Sequence, residues 1–347
     1  GMSTERFLFM VSGKNVPSTR FRMLPYVSAL RSLGYSCDVA YSYPEKYDSY
    51  RLIGWRLSQR LKRSVRKWQV LKAGFTGYSA IVIERELFDS PDFQIEEQVS
   101  KLSAKLILDV DDGVFLRYPE KFRRLVQLSD HVIAGSSIIA AKLEPDSKSI
   151  SVIPTVLDLD EYPTKMQHDH VTDAALRIGW IGTDSNVEYL NLVMPAIRRI
   201  QQEHSCFLRV ITGSKSSLQK LDTDGVEVEF FQWDPATAIQ KLSECHIGVM
   251  PLPDEEWQQY KCGCKLLQYM ACWIPSIASP VGVNRDIIRH GSNGLLAATT
   301  EEWQNCLGRL LKQHTLRNEL GQNGRSTVEE SFSLSSQITR FLTVLTS

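Results

Sequence analysis

Short runs of Val, Ile, Leu and Phe recur along this chain, and most are followed by a longer stretch whose apolar residues return every three or four positions. A strand that is apolar on every residue has no wet face, so it belongs inside a parallel sheet covered by helices on both sides. Strands are expected at 6–12, 36–41, 80–84, 106–109, 131–134 and 151–153, with helices near 21–33, 52–71, 92–102, 121–128 and 137–143 between them. A second series follows. Strands are expected at 176–181, 207–211, 226–230, 247–251 and 276–278, with helices near 187–202, 235–242, 284–290, 301–313 and 316–330. Between the series, residues 155–172 hold Pro, several Asp and His and no period, which is the composition of a linker. The fold class is therefore α/β, two doubly wound Rossmann-like lobes facing a cleft, with ligands expected where strand ends meet helix starts.

Charge and cysteine usage narrow the function classes. Lys and Arg number 40 against 40 Asp and Glu, a balance that argues against a dedicated nucleic-acid binder. Seven cysteines, odd in number and without a CxxC, suit a reducing compartment and a cytoplasmic location. Cys262, Cys264 and Cys272 lack the spacing and the His pair of a tetrahedral zinc set, and His168-Asp169-His170 in the linker reads as a solvated hinge. No apolar run is long enough for a membrane span, and no signal peptide is expected.

The richest loop is 251–294, PLPDEEWQQYKCGCKLLQYMACWIPSIASPVGVNRDIIRHGSNG. A helix should open just after Gly263, with Leu266, Leu267, Met270 and Ala271 as its buried stripe. Lys265 then stands in the first turn, where backbone N–H groups and the positive end of the helix dipole favour an anion such as a diphosphate. Gln268, one turn further in, could bond a sugar hydroxyl; the plain alternative is a surface Lys and Gln. Two more strand-to-helix loops, around Gly182-Thr183 and Val281-Gly282, are small enough for a ligand to approach the backbone.

Taken together, the run KCGCKLLQYMACWIPSIASPVGVNRDIIRHGSNGLLA at 261–297 resembles the donor-binding half of group 1, or family 4, glycosyltransferases of the two-lobed GT-B fold. IGWIGT at 178–183 resembles the strand and glycine loop that open the second lobe. SDHVIAGSS at 129–137, SVIPTVLDLDEY at 151–162 and GKNVPSTRFRMLPYVSALRSLGY at 13–35 carry the resemblance through the first lobe. It implies a retaining transferase that moves a sugar from a nucleotide-sugar co-substrate to a polysaccharide or glycolipid acceptor, with no cofactor and no metal bound by the protein. It also implies an acceptor-side domain at 1–165, a donor domain at 175–330 and a final helix within 331–347 returning to the first domain. By the same resemblance, Lys261 and Lys265 would neutralise the leaving diphosphate. Gly182, Thr183, Gly263, Gln268, Val281, Gly282 and Gly13 would contact the donor, and Arg20 the acceptor or a phosphate. Arg20 reads equally well as a solvated helix charge.

The chain departs from the family in one respect: the paired glutamates, eight residues apart, are replaced by Tyr260 and Gln268. A catalytically inactive sugar-nucleotide-binding protein of the same fold is the alternative that this motivates. A second alternative comes from LILDVDDGVF at 106–115, which places Asp109, Asp111 and Asp112 at the end of a buried strand, where carboxylates must be paired, solvated or cation-bound. Hydrophobic-DxD resembles the nucleophile loop of haloacid-dehalogenase-like phosphatases, though here it follows the fourth strand rather than the first. Under the transferase reading, Asp112 orients the acceptor hydroxyl; a loop-capping role is the plain alternative.

One segment stands apart. From Ser49 to Ile83 there is no acidic residue, while 51–72 holds eight Lys and Arg. Ile53, Leu57, Leu61, Val65 and Trp68 recur at helical spacing, with Trp55 nearby, which makes a basic amphipathic helix. Its expected partner is an anionic membrane surface, with a packed outer helix and a solvated Arg face as the alternative.

Overall fold

The computed structural model describes residues 4–167 and 175–347; His168, Asp169 and His170 of the expected hinge lie outside the described residues. Among the described residues, twelve strands form two sheets of six. In the first, β1 (Arg6–Val11), β2 (Ser36–Tyr41), β3 (Ala80–Glu84), β4 (Lys105–Val110), β5 (His131–Ala134) and β6 (Ile150–Val152) lie in the order β2-β1-β3-β4-β5-β6. In the second, β7 (Leu176–Ile181), β8 (Cys206–Thr212), β9 (Val228–Gln232), β10 (Ile247–Met250), β11 (Ser276–Ala278) and β12 (Leu295–Leu296) lie in the order β12-β11-β10-β7-β8-β9. Every pairing between these strands is parallel.

The first unit comprises residues 1–156, 260–262 and 334–347. It holds α1 (Pro17–Arg22), α2 (Leu24–Ser32), α3 (Gly54–Thr76), α4 (Gln94–Ser100), α5 (Pro119–Leu128) and α6 (Ser137–Leu143). Its sheet separates two cores, one containing Leu8, Ile81 and Phe122, the other Phe7, Phe9 and Phe341. The second unit, 157–259 and 263–333, holds α7 (Met194–Glu203), α8 (Ala238–Ser243), α9 (Glu256–Gln259), α10 (Cys264–Ala271), α11 (Val283–Ile287), α12 (Thr300–Lys312) and α13 (His314–Ser331). Trp180 and Trp303 are among its largest fully buried side chains. The last helix, α14 (Leu334–Thr346), belongs to the first unit, where Phe341 stacks on Tyr26 with ring centroids 4.1 Å apart.

Several helices depart from their expected bounds for local reasons. The stretch expected as one helix at 187–202 is a 3-10 helix, Asp184–Leu192, followed by α7, because Pro195 sits at the start of α7 and cannot continue a preceding helix. Likewise the expected helix at 21–33 is two, α1 and α2, each with a Pro in its first turn. The basic helix α3 is longer than expected, ending at Gly77 in a left-handed cap. Its inward side is not the apolar stripe, contrary to the packed-helix alternative. The buried positions are Ser58, Lys62, Arg66, Val70 and Ala73, whereas Leu57, Leu61 and Trp68 are exposed.

Candidate functional site

In the second sheet, sequence order reverses between β7 and β10, so the loops leaving these two strands flank the switch point at which open α/β sheets take ligands. The loop after β7 carries Gly182 and Thr183; the chain after β10 leads through α9 to the start of α10. Structure therefore brings together what lies about 80 residues apart in sequence. Gly263, which caps α10 in a left-handed conformation, accepts the Leu267 N–H at 3.1 Å, and Lys265 stands in the first turn as expected. The Lys265 ammonium lies 5.5 Å from the centroid of the Trp180 ring. A Cβ on Gly182 would overlap both the Lys265 Cε and that ring, so only glycine lets the lysine lie across the end of β7. Thr183 is exposed, and its hydroxyl is 3.1 Å from that of Ser185.

The loop after β11 is built on a second obligatory glycine. Gly282 has φ 57° and ψ −131°, and a Cβ there would run into the backbone of Gln259, whose carbonyl carbon and Cα would lie at 2.8 Å. Val281 is buried, and its N–H donates to Ser279 O at 2.8 Å. Gln268 is half-buried on α10 and donates its side-chain N–H to the Tyr162 hydroxyl at 3.3 Å.

In the first unit, the sheet reverses between β1 and β3, and the loops after β1, β3 and β4 gather a polar cluster. Gly13 lies in the loop after β1; its N–H donates to the Thr19 hydroxyl at 3.4 Å and its carbonyl accepts from Val16. The fully buried Glu84 ends β3 and accepts from the hydroxyls of Ser12, Ser18 and Thr19. The three aspartates at the end of β4 are paired by two arginines. Arg22 grips Asp109 through both carboxylate oxygens, at 2.6 and 2.9 Å. Arg85 grips Asp111 likewise, at 2.6 and 3.0 Å, and also donates to Asp112 at 3.1 Å. Such forked pairs satisfy buried charge that could not otherwise be held. Asp109, fully buried and bound on both oxygens, cannot present a nucleophile to phosphate, which removes the physical basis of the phosphatase alternative.

Asp112 is the most accessible of the three carboxylates, with a quarter of its side chain exposed. Its other oxygen accepts the Val114 N–H at 3.1 Å, so the capping role is present. Burial, and then the neighbouring Asp111, push its carboxyl up to about 6, against the opposing pull of Arg85 and Lys261. Lys261 thus acts electrostatically on Asp112 within the first unit, while Lys265 belongs to the second. Arg20 is exposed, with its guanidinium 5.3 Å from the Phe21 ring centroid.

Arg22, Glu84 and Arg85 are absent from the sequence-based site. A signal for them existed: three aspartates on one buried strand end demand cations, and the nearest sources are the loops of neighbouring strands. Arg85 even holds a left-handed φ of 61°, a cost of about 1 kcal/mol or more that its two aspartate partners offset. Among the described residues, no group of three or more His, Cys, Asp or Glu side chains could hold a metal ion.

Residues 175–313 match the family described as Glycosyl transferases group 1. No curated protein matches the chain. Among solved structures, sucrose-phosphate synthase from Thermosynechococcus elongatus is similar over 98% of this chain and 98% of that chain, with a TM-score of 0.76 and 16% identity. Anabaena HepE in complex with UDP and glucose is similar over 98% of this chain and 99% of that one, with a TM-score of 0.72 and 14% identity. The apo structure of OtsA is similar over 99% of each, at 0.70 and 11%. At these identities the likeness is one of fold, and the fold is GT-B, as the sequence led us to expect.

Proposed function

We propose, from the premise that residues 175–313 mark this chain as a group 1 glycosyltransferase, that it moves a sugar from a nucleotide-sugar to a polysaccharide or glycolipid hydroxyl, with retention of configuration and without a protein-bound metal. The observation that carries the reading is Lys265 in the first turn of α10, lying across Gly182 at the end of β7. In such a transfer the glycosidic bond breaks toward an oxocarbenium-like state while the departing nucleoside diphosphate gains charge. A fixed ammonium and helix-start amides aimed at that charge lower the barrier. Gly182, Thr183, Gly263, Val281 and Gly282 let the donor approach the backbone, and Gln268 can exchange its bond with Tyr162 for one to a sugar hydroxyl. Lys261 joins Lys265 in offsetting the diphosphate. Asp112, its carboxyl pushed up to about 6, orients the acceptor hydroxyl beside Gly13 and Arg20. A glycolipid acceptor places the enzyme at the cytoplasmic face of a membrane, consistent with seven free cysteines.

UDP is the first donor fragment to try, since HepE was solved with UDP and with UDP-glucose. A bound nucleotide raises the melting temperature, because only the folded chain binds it. Lys265→Ala should lower turnover of the nucleotide-sugar that binds by about 100-fold or more while leaving the fold's melting temperature unchanged. Undiminished turnover in that variant refutes the reading.

One observation favours the second reading, a sugar-nucleotide-binding protein without turnover. Tyr260 is buried, and its ring meets Phe115 edge-on at 4.9 Å, so the place of the first family glutamate serves packing. Nucleotide binding without hydrolysis or transfer from any nucleotide-sugar would decide for it.

A further inference from the structure

The face of α3 that looks away from its unit is apolar, and nothing among the described residues covers it. Leu57, Leu61, Trp68, Leu71 and Phe75 follow one another at intervals of four, seven, three and four residues, a spacing that places them in a single stripe. Trp68 is 59% exposed, Leu71 62% and Phe75 85%. The helix cannot roll to hide them. Its inward face is fixed by Lys62, whose ammonium donates to Lys46 O at 2.8 Å, and by Arg66. The Arg66 guanidinium donates to Leu87 O, Val11 O and Ala40 O at 2.9, 2.6 and 3.1 Å. Turning the helix would strip these buried cations of their carbonyl partners, a large desolvation cost.

Charge identifies the occupant. The exposed Arg56, Arg60, Lys67 and Lys72 flank the stripe, and α3 carries no acidic residue. The spacing would also suit a helix from a second copy, but that helix would bring the same cations and no carboxylate to meet them. Large apolar side chains between cationic ones are what an interfacial helix presents to an anionic bilayer, the apolar stripe entering the acyl boundary while Lys and Arg stems reach back to the headgroups. Among the described residues, no helix is long and apolar enough to cross a membrane.

We infer that α3 docks the protein in the plane of an anionic lipid bilayer, with Leu57, Leu61, Trp68, Leu71 and Phe75 inserted and Arg56, Arg60, Lys67 and Lys72 on headgroup phosphates. The purpose of docking rests on the glycolipid-acceptor reading above; the docking itself needs neither donor nor acceptor.

Flotation of the full chain with vesicles tests this. Vesicles of equal phosphatidylcholine and phosphatidylglycerol should bind at least about tenfold more protein than phosphatidylcholine alone, and added salt should weaken that binding. Leu57→Ser/Trp68→Ser/Phe75→Ser changes only exposed side chains and should lose about tenfold in binding at an unchanged melting temperature. Arg60→Gln/Lys67→Gln/Lys72→Gln keeps the stripe and should lose the preference for anionic lipid. Equal binding to both vesicle types, or full binding by the serine variant, overturns the inference. So does a concentration-dependent dimer that the serine variant abolishes, which would make a second copy the occupant. Soluble nucleotide-sugar turnover, measured alongside without vesicles, should be the same in these variants. Docking without turnover would sink only the transfer reading, and turnover without docking only this one.

Discussion

Asp112 shows how one residue can hold a fold and a chemistry in tension. It caps the short 3-10 helix Gly113–Leu116 through Val114 N–H and shares Arg85 with Asp111, yet it titrates at about 6 instead of 3.8. A carboxyl whose pKa rises on folding keeps a proton that the unfolded chain has already released. Stability therefore falls as pH rises through the window from about 4 to 6 and is level above it. Asp112→Asn keeps an acceptor for Val114 and removes the titration. Relative to that variant, the wild-type melting temperature should drop between pH 4 and pH 6, by an amount equivalent to on the order of 1–2 kcal/mol. Parallel curves across that range would show that Asp112 does not titrate there.

At the level of elements, the decisive joint is the turn between β11 and α11. Gly282 holds φ 57° and ψ −131° against the backbone of Gln259, so Gly282→Ala meets both conformational strain and collision. Urea unfolding should show a loss of about 2–4 kcal/mol, with the m-value unchanged if the unfolded ensemble is unaffected. A loss below about 1 kcal/mol would mean that the turn relaxes freely. The PVG loop was legible in the sequence as a place for small residues, and so was the helix start after Gly263, because both rest on local backbone demands. Most strands of both sheets were legible as well, since an all-apolar run fits few other places. The Arg22–Asp109 and Arg85–Asp111 pairs were not, because their partners are 87 and 26 residues apart and meet only once the strand order is known. Whether the stripe of α3 packs or faces outward stayed open in the sequence for a different reason. Periodicity located its apolar stripe but could not say that Lys62 and Arg66 would take the inward side, since that depends on carbonyls supplied by the loops around Lys46 and Leu87.

Across the whole molecule, neither unit is a continuous stretch of chain. The first unit takes residues 260–262 from the middle of the second series and α14 from the end. Phe341 of α14 lies parallel to Phe9 as well as to Tyr26, with interplanar angles of 9° and 14°. Deleting α14 removes that ring and leaves its neighbours open, a change larger than Phe341→Ala, itself worth about 3–5 kcal/mol. The chain ending at Ser333 should bind the dye ANS strongly and lose near-ultraviolet dichroism from the first unit. Native dye binding and an unchanged melting profile would show that α14 is dispensable.

The position of α14 in the chain also sets a clock. During translation, β1 and α2 emerge early with Phe9 and Tyr26, and the helix that covers them leaves the ribosome after some 300 further residues. Throughout that interval the nascent first unit lacks the cover of Phe341 and leaves an apolar seam open on the growing chain, the kind of surface through which incomplete chains aggregate or are cleaved.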